Sequence, residues 1–421
     1  MIEHRRTLRP PLPKFALAVA LAVLLAGCAT TPAPRISLAG VPAVAVGRAQ
    51  ANVRVFERVW SLVKDAHFDP KLQGVDWEAA GVKYGAEAAA APDEVALYRS
   101  LNAMLAPLHD SHTHALTPAR ATERRTRVRA RTGFNMTRVE ERWVVSEVLP
   151  GSPAEDAGVK PGWIVVAREG VSLGARIDFR PKEGEAASWD FLDNADRPVR
   201  LAPVAKPLST APRQIVRVLD GGYVYLRFDE FNGPGRRWLS RELKQHAAAP
   251  GVVIDLRQNP GGETISLGIV IGEFFDRSVD CGTFITRGGS RSMKNSWQLG
   301  SAHYHGKAVV LVDGATGSAA EIFAAVLQDH GRATLIGRRT AGAVLASWFY
   351  TLPDRGQLQL SREDYMAPKG RRIEGAGIEP DIVVSRTLAD LRAGRDRDLE
   401  EAVGVLQRGR DDPAEGGQAA R

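Results

Sequence analysis

The sequence predicts an α/β protein assembled from more than one unit, and three observations carry the prediction. From Ile215 onward, apolar runs of strand length alternate with stretches of helical periodicity, the pattern of a mostly parallel sheet flanked by helices. Residues 50–118 show helical spacing instead, and a strand-and-turn stretch punctuated by Gly and Pro lies between the two. With 421 residues, 44% hydrophobic and 25% charged, the chain is globular and long enough for two or three domains.

Arg5, Arg6, Arg9 and Lys14 precede the apolar stretch Phe15 to Ala26, which is too short to span a bilayer as a stable helix and reads as part of a signal peptide over residues 1–27. Its end, Leu25-Ala26-Gly27-Cys28, resembles a bacterial lipobox, which implies acylation of Cys28 and a membrane anchor; Ala29 after the cysteine implies the outer membrane, facing the periplasm. A plain secretory signal with an incidental cysteine is the alternative. Residues 28–49, rich in Pro, Ala and Gly, read as a tether. Val53, Phe56, Trp60 and Val63 then mark an amphipathic helix, and Leu97, Leu101 and Leu105 a second, within a helical unit over residues 50–118.

Residues 119–205 open on a dense basic tract, Arg120 to Arg131, with six arginines against Glu123. It reads as a solvated linker, with contact to anionic lipid or substrate carboxylates as the sharper alternative. Trp143 to Val148 reads as a strand. In residues 206–407, Tyr223 to Phe228, Val252 to Leu256 and Ala308 to Val312 are strand candidates, while Arg236 to His246, Ile265 to Phe275 and Glu321 to Gln328 have helical spacing. Residues 408–421, rich in Gly, Ala and charge, read as a disordered tail.

Charge and cysteine content exclude some classes of function. Removing residues 1–27 lowers the formal charge from +7 to +4, which is modest, and no nucleic-acid-binding motif is present. Acylation of Cys28 leaves Cys281 alone, so no intrachain disulfide is available, and Cys281 reads as a small buried hydrophobe.

The segment Gly317-Ser318-Ala319-Ala320-Glu321-Ile322 joins an apolar strand to a helix that runs to Gly331. A serine there can be presented as a nucleophile, with the free amides of the helix N-terminus beside it to stabilise an oxyanion. The same spacing, Ser318-x-x-Glu321, fits a capping box, so the segment alone leaves both readings open.

The rest of the chain resembles the C-terminal processing (tail-specific) serine protease family over roughly residues 50 to 407. The resemblance rests on six segments in order: Leu108 to Thr113, a PDZ-like stretch from Gly133 to about Pro203, Asp255 to Gly262, the Ser318 segment, Gly337 to Ala343, and Glu374 to Asp381. It implies a crotonase-like protease core with an N-terminal helical unit and an inserted PDZ-like domain. In one branch of the family a lysine 25 residues after the nucleophile is the base; here that position is Ala343. The chain is more similar to the tricorn-core branch, whose Ser-His-Ser-Glu tetrad maps onto Ser318 as nucleophile, His112 as base, Ser111 and Glu374. Gly262 and Ala319 would supply the oxyanion amides, and Gly133, Phe134, Asn135 and Met136 the peptide-binding loop of the PDZ-like domain.

The resemblance implies a serine peptidase acting on polypeptides of the cell envelope through an acyl-enzyme, with no metal or organic cofactor required. A histidine base suits the task because its ordinary pKa near 6.5 sets an acidic limb close to neutrality, which Glu374 would move upward. Alternatives remain at each position. His109, His112 and His114 could form a metal site, Glu374 could be a loop glutamate, Gly261-Gly262 a simple turn, and Arg257 and Asn259 local backbone partners. The PDZ-like domain could gate rather than bind. Ala343 keeps open a catalytically inactive, peptide- or lipid-binding lipoprotein that retains the fold.

Overall fold

The computed structural model describes residues 34–39, 42–174, 179–300 and 302–411. The signal segment, Cys28 and residues 412–421 lie outside them. Five parallel-linked strands and one antiparallel edge form the central sheet, in the order Gln214–Val218, Val224–Phe228, Gly251–Asp255, Lys307–Val312, Thr334–Gly337 and Ile382–Val383. Its central strands are largely apolar, with charges at or near their ends (Arg227, Asp255 and Lys307), because helices cover both faces. Val252 and Ile254 pack with the helices Gly233–Gln245, Thr264–Gly272 and Ala319–Asp329, while Val253 on the same strand packs with Ala402 and Leu406 of the C-terminal helix Arg397–Asp411.

The N-terminal unit has three helices, Val46–Ala66, Trp77–Ala90 and Glu94–Leu105, so the predicted pair gains a third member between them. Phe56, Trp60 and Leu101 are fully buried among them, and the Trp60 and Trp77 indoles each donate to the other's carbonyl at 2.9 and 3.1 Å. The first helix starts at Val46, inside the expected tether, and Ile36 packs on this same core, so residues 34–49 are partly folded. The unit ends in a strand, His114–Leu116, which pairs with the long strand Gln357–Met366 of a second sheet. That pairing carries the Ser111-His112 turn to the second sheet, beside the α/β core.

The basic tract is not a solvated linker. Thr117 caps a helix, Pro118–Thr126, and Val128–Arg131 pairs with Lys206–Ser209 to form a two-stranded stem. The stem supports an inserted antiparallel sheet of Phe134–Val139, Arg142–Val148, Ile164–Arg168, Trp189–Leu192 and Pro198–Leu201, closed around Val145, Trp189 and Phe191. Along the stem the arginines alternate with Val128 and Ala130; Arg124, Arg125 and Arg127 are exposed, while Arg120, Arg129 and Arg131 are half-buried.

Candidate active site

Two neighbouring parallel strands deliver the two loops from which the site is built, because Gly251–Asp255 and Lys307–Val312 pair in register, Asp255 beside Leu311. Loops at the carboxyl ends of such strands are where an open α/β sheet gathers its chemistry. Asn259, fully buried, stitches the two loops: its Nδ2 donates to Phe228 O at 2.7 Å, its Oδ1 accepts from the Gly261 amide at 2.9 Å, and its carbonyl accepts from the Gly317 amide at 2.9 Å. It is a backbone partner, one of the roles its sequence position allows. Gly261, at φ +102°, is pressed so closely on Ser318 that a Cβ there would stand 2.6 Å from the Ser318 Cβ. Beyond it the Gly262 amide faces away from Phe231 and, like the Ala319 amide, has no hydrogen-bond partner among the described residues.

Ser318 takes φ +52° and ψ −124°, a left-handed conformation that a residue with a side chain adopts at a cost of about 1–3 kcal/mol. Such strain persists only where the surroundings hold it. The Ser318 amide is held by the Ala343 carbonyl at 2.7 Å, and the Glu321 amide by the Ser318 carbonyl at 2.9 Å. Ser318 and Glu321 stand in capping-box geometry with both reciprocal arms in place, but only the glutamate arm, accepting from the Ser318 amide at 3.2 Å, is a full hydrogen bond; no side-chain cap hydrogen bond forms at the serine hydroxyl. Capping therefore falls mostly to Glu321.

Glu321 does more than cap. Fully buried, its carboxylate also accepts from Gly342 N and Ala343 N, both at 2.8 Å, and from the Thr340 hydroxyl, which binds the 340–343 segment beneath the Ser318 turn. Burial raises its pKa and these donors oppose the rise. Glu321→Gln turns an N–H2 toward amide donors, so we expect a loss of about 1–3 kcal/mol in urea unfolding together with slower turnover. Wild-type stability in that variant would show that the bonds from Gly342 and Ala343 are dispensable.

His112 lies across the same cleft of about 690 Å³, whose wall includes Ser318, Ala319, Gly262, Leu267, Phe284, Ile322, Val344 and Trp348. Its Nδ1 is 2.6 Å from the Ser111 Oγ, and Glu374 reaches Ser111 by accepting its backbone amide at 2.9 Å while its other oxygen accepts from Val344 N at 2.9 Å. The four residues of the expected tetrad thus meet at one site, although no direct hydrogen bond links Ser318 to His112 among the described residues. A proton on Nδ1, donated to Ser111, leaves Nε2 as the basic nitrogen.

Electrostatics depart from expectation. The imidazole is partly open to the cleft but surrounded by protein, and burial pushes its pKa down to about 4, with Asp110 pulling up and His114 pushing further down. The carboxylate that pulls it upward is Asp110, where the tetrad led to an expectation of Glu374. Burial raises the Glu374 carboxyl itself, against the Val344 amide and Ser111, so it favours carrying less charge.

Asp110 lies within the Leu108 to Thr113 segment, yet the sequence assigns it no role. Its carboxylate accepts from His112 N at 3.0 Å and from Thr113 N, and is held by His67 Nε2 at 2.9 Å and the Ser361 hydroxyl at 3.0 Å, so it shapes the turn that aims the imidazole. Only its position beside Ser111-His112 could have signalled this. Lys294 and Lys369 are exposed and outside the cleft, and among the described residues no group of three His, Cys, Asp or Glu side chains could hold a metal ion. Arg124 and Arg127 of the basic tract reach the cleft rim, where Arg127 pairs with Glu230 at 2.7 Å.

The Gly133 to Met136 segment lies elsewhere, on a separate groove of about 320 Å³ that also takes in Arg129, Arg131 and Trp143. It is less a loop than expected: Phe134 opens a strand and is buried against Trp189 and Phe191, and Asn135 is engaged by Arg131 and Glu147. Cys281 is buried, its thiol pushed up to about 12.

Comparison with known proteins agrees with this arrangement. A family model described as Peptidase family S41 matches residues 222–384, and one described as Tricorn protease C1 domain matches residues 51–106. A carboxyl-terminal-processing protease of Picosynechococcus is 30% identical over 349 residues, covering 78% of this chain and 82% of that protein. Tricorn protease homolog 1 of Streptomyces coelicolor is 25% identical, over 84% of this chain but 35% of its own length. Among solved structures, the photosystem II D1 C-terminal processing protease matches with a TM-score of 0.57 at 22% identity, over 85% of this chain and 97% of that one. Mature CPAF matches with a TM-score of 0.63 at 12% identity, over 87% and 99%.

Proposed function

The chain belongs to peptidase family S41, the serine peptidases that include the carboxyl-terminal-processing proteases, and from that premise we propose that Ser318 is its nucleophile and His112 its general base. One observation carries this reading most: a serine in a strained turn opens on a cleft that also holds an imidazole and two unpartnered amides. A polypeptide lies extended in the cleft and Ser318 Oγ attacks a carbonyl carbon while His112 Nε2 takes the hydroxyl proton. The Gly262 and Ala319 amides receive the oxyanion, His112 returns its proton to the leaving amine, and water then hydrolyses the acyl-enzyme. Ser111 holds the Nδ1 proton in place, and Glu374 holds Ser111, the orienting role a third group plays in triads. Ala343 offers the site backbone groups alone, its carbonyl to the Ser318 amide and its amide to Glu321, so the lysine-based route has no base at that position.

On this reading the core is crotonase-like and the inserted sheet is a PDZ-like domain that takes a substrate end along Gly133 to Met136. A purely binding lipoprotein is not retained, because the family is one of peptidases and the chain keeps Ser318, His112 and Glu374 together. Incubating the purified full-length protein with unstructured polypeptides should generate new termini, detected by mass spectrometry, that depend on Ser318. Cleavage that survives Ser318→Ala overturns the assignment.

The lipobox-like end of the leader supports attachment through Cys28 to the outer membrane, with substrates drawn from envelope polypeptides. Cys28→Ala is expected to move the protein from the membrane fraction without altering the specific activity of the folded part. A wild-type protein recovered wholly soluble and without acyl groups would contradict the anchor.

A further inference from the structure

We propose that Arg257 and Asp396 are positioning residues: they clamp the loop that carries the Gly262 amide to the C-terminal segment, and through it to the inserted sheet, a role that rests on Ser318-dependent peptidase activity. All the guanidinium donors of Arg257 are engaged. Nε and the second terminal nitrogen bind Asp255 at 3.0 and 2.6 Å, and the terminal nitrogens bind Asp396 at 2.7 and 2.8 Å and Asp398 at 2.9 Å. Asp398 in turn takes both terminal nitrogens of Arg338, at 2.7 and 2.8 Å. Arg257, Asp255 and Asp398 are buried, and Asp255 lies at the end of the strand whose loop leads to Gly262. A planar fork bound on every side fixes the orientation of the backbone that bears it, and only four residues lie between it and Gly262.

The other end of the linkage is seated on the inserted sheet. Leu388 and Leu391 of the short helix Leu388–Arg392 pack with Val139, Val144, Ile164 and Leu192, and the Leu388 amide donates to Glu140 at 3.1 Å. Arg392 binds the Asp193 carbonyl at 3.2 Å and the Asp196 carboxylate. Three residues, Ala393 to Arg395, join this helix to Asp396, and Gly394 at φ +65° makes the corner. A displacement of the inserted sheet therefore has a short, bonded route to the amide proposed to receive the oxyanion, whereas the cleft wall itself belongs to other elements. Interactions felt mainly in the transition state alter kcat rather than KM, which makes the linkage readable in steady-state kinetics.

Asp396→Asn isolates the clamp, because asparagine keeps the cap that Asp396 gives the Leu399 amide but loses the charge that holds Arg257. Assayed with a fluorogenic peptide well below its melting temperature, this variant should lose kcat by on the order of 10- to 100-fold with KM within about twofold. Asp396→Glu should recover part of the loss. Arg392→Ala should lower kcat in the same sense, and its effect should not multiply with that of Asp396→Asn. Arg408→Ala, on the exposed face of the C-terminal helix, is the control and should match wild type. An Asp396→Asn protein with unchanged kcat, whether or not its melting temperature falls, overturns the linkage while leaving Ser318 as nucleophile. A wild-type protein with no Ser318-dependent hydrolysis overturns the peptidase assignment instead.

Discussion

Ser318→Gly is expected to abolish peptide hydrolysis and yet to give a more stable protein. The hydroxyl is the attacking group, so its loss should lower kcat/KM by about four orders of magnitude or more. The backbone at Ser318 lies in the left-handed region at φ +52°, where glycine is not strained, so relief should contribute about 1 kcal/mol or more, against the greater freedom glycine gives the unfolded chain. Ser318→Ala separates the two effects. It should be equally inactive but retain the strain, and because no side-chain cap hydrogen bond engages the hydroxyl, its stability should lie close to wild type rather than showing the loss of about 1 kcal/mol usual for a cap. Urea unfolding of the three proteins checks the order. A glycine variant less stable than the alanine variant would show that the turn is not strained.

His112→Ala should cost nearly as much activity, and the pH profile should identify the group. With the imidazole pushed down to about 4, the neutral base is present from mildly acidic pH upward, so kcat/KM should rise through an apparent pKa near 4 and be flat on that side across neutrality. Stability carries the same signature. Between about pH 6.5 and 4 the unfolded chain binds a proton at this histidine and the folded one does not, so falling pH removes stability over that window, by roughly 1–3 kcal/mol at most. His112→Gln should flatten that part of the curve. Lys294→Met and Lys369→Met should leave both profiles unchanged, since neither side chain reaches the cleft. An active His112→Ala protein beside an inactive lysine variant would return the base to a lysine.

The strands of the core were legible because both faces are covered, so Val252 to Ile254 and Ala308 to Val312 read as unbroken apolar runs. The helix Trp77–Ala90 was not, because its buried face is built largely of Gly81, Gly85, Ala88 and Ala89 packed against Trp60 and Phe56, and small residues give hydrophobic periodicity little amplitude. The arginine tract misled in the opposite direction. Charge predicts exposure, and Arg124, Arg125 and Arg127 are exposed, but Arg120, Arg129 and Arg131 are half-buried, and charge says nothing of the Thr117 cap or the stem pairing. At the site, the sequence spacing gave Ser318 and Glu321 one shared reading, and only the folded chain divides the roles between a strained hydroxyl and a buried carboxylate. The depression at His112 had no sequence signal, since it arises chiefly from burial in the folded chain, with His114 adding to it.

The most direct test of the central claim is the rate at which a fluorophosphonate phosphonylates the protein, with loss of fluoride, as a function of pH, with the modified residue located by peptide mass spectrometry. The serine–histidine account predicts a single adduct on Ser318, formed at a rate that climbs through an apparent pKa near 4 and that collapses in His112→Ala. An adduct on another residue, or labelling of Ser318 that is indifferent to His112, would contradict it.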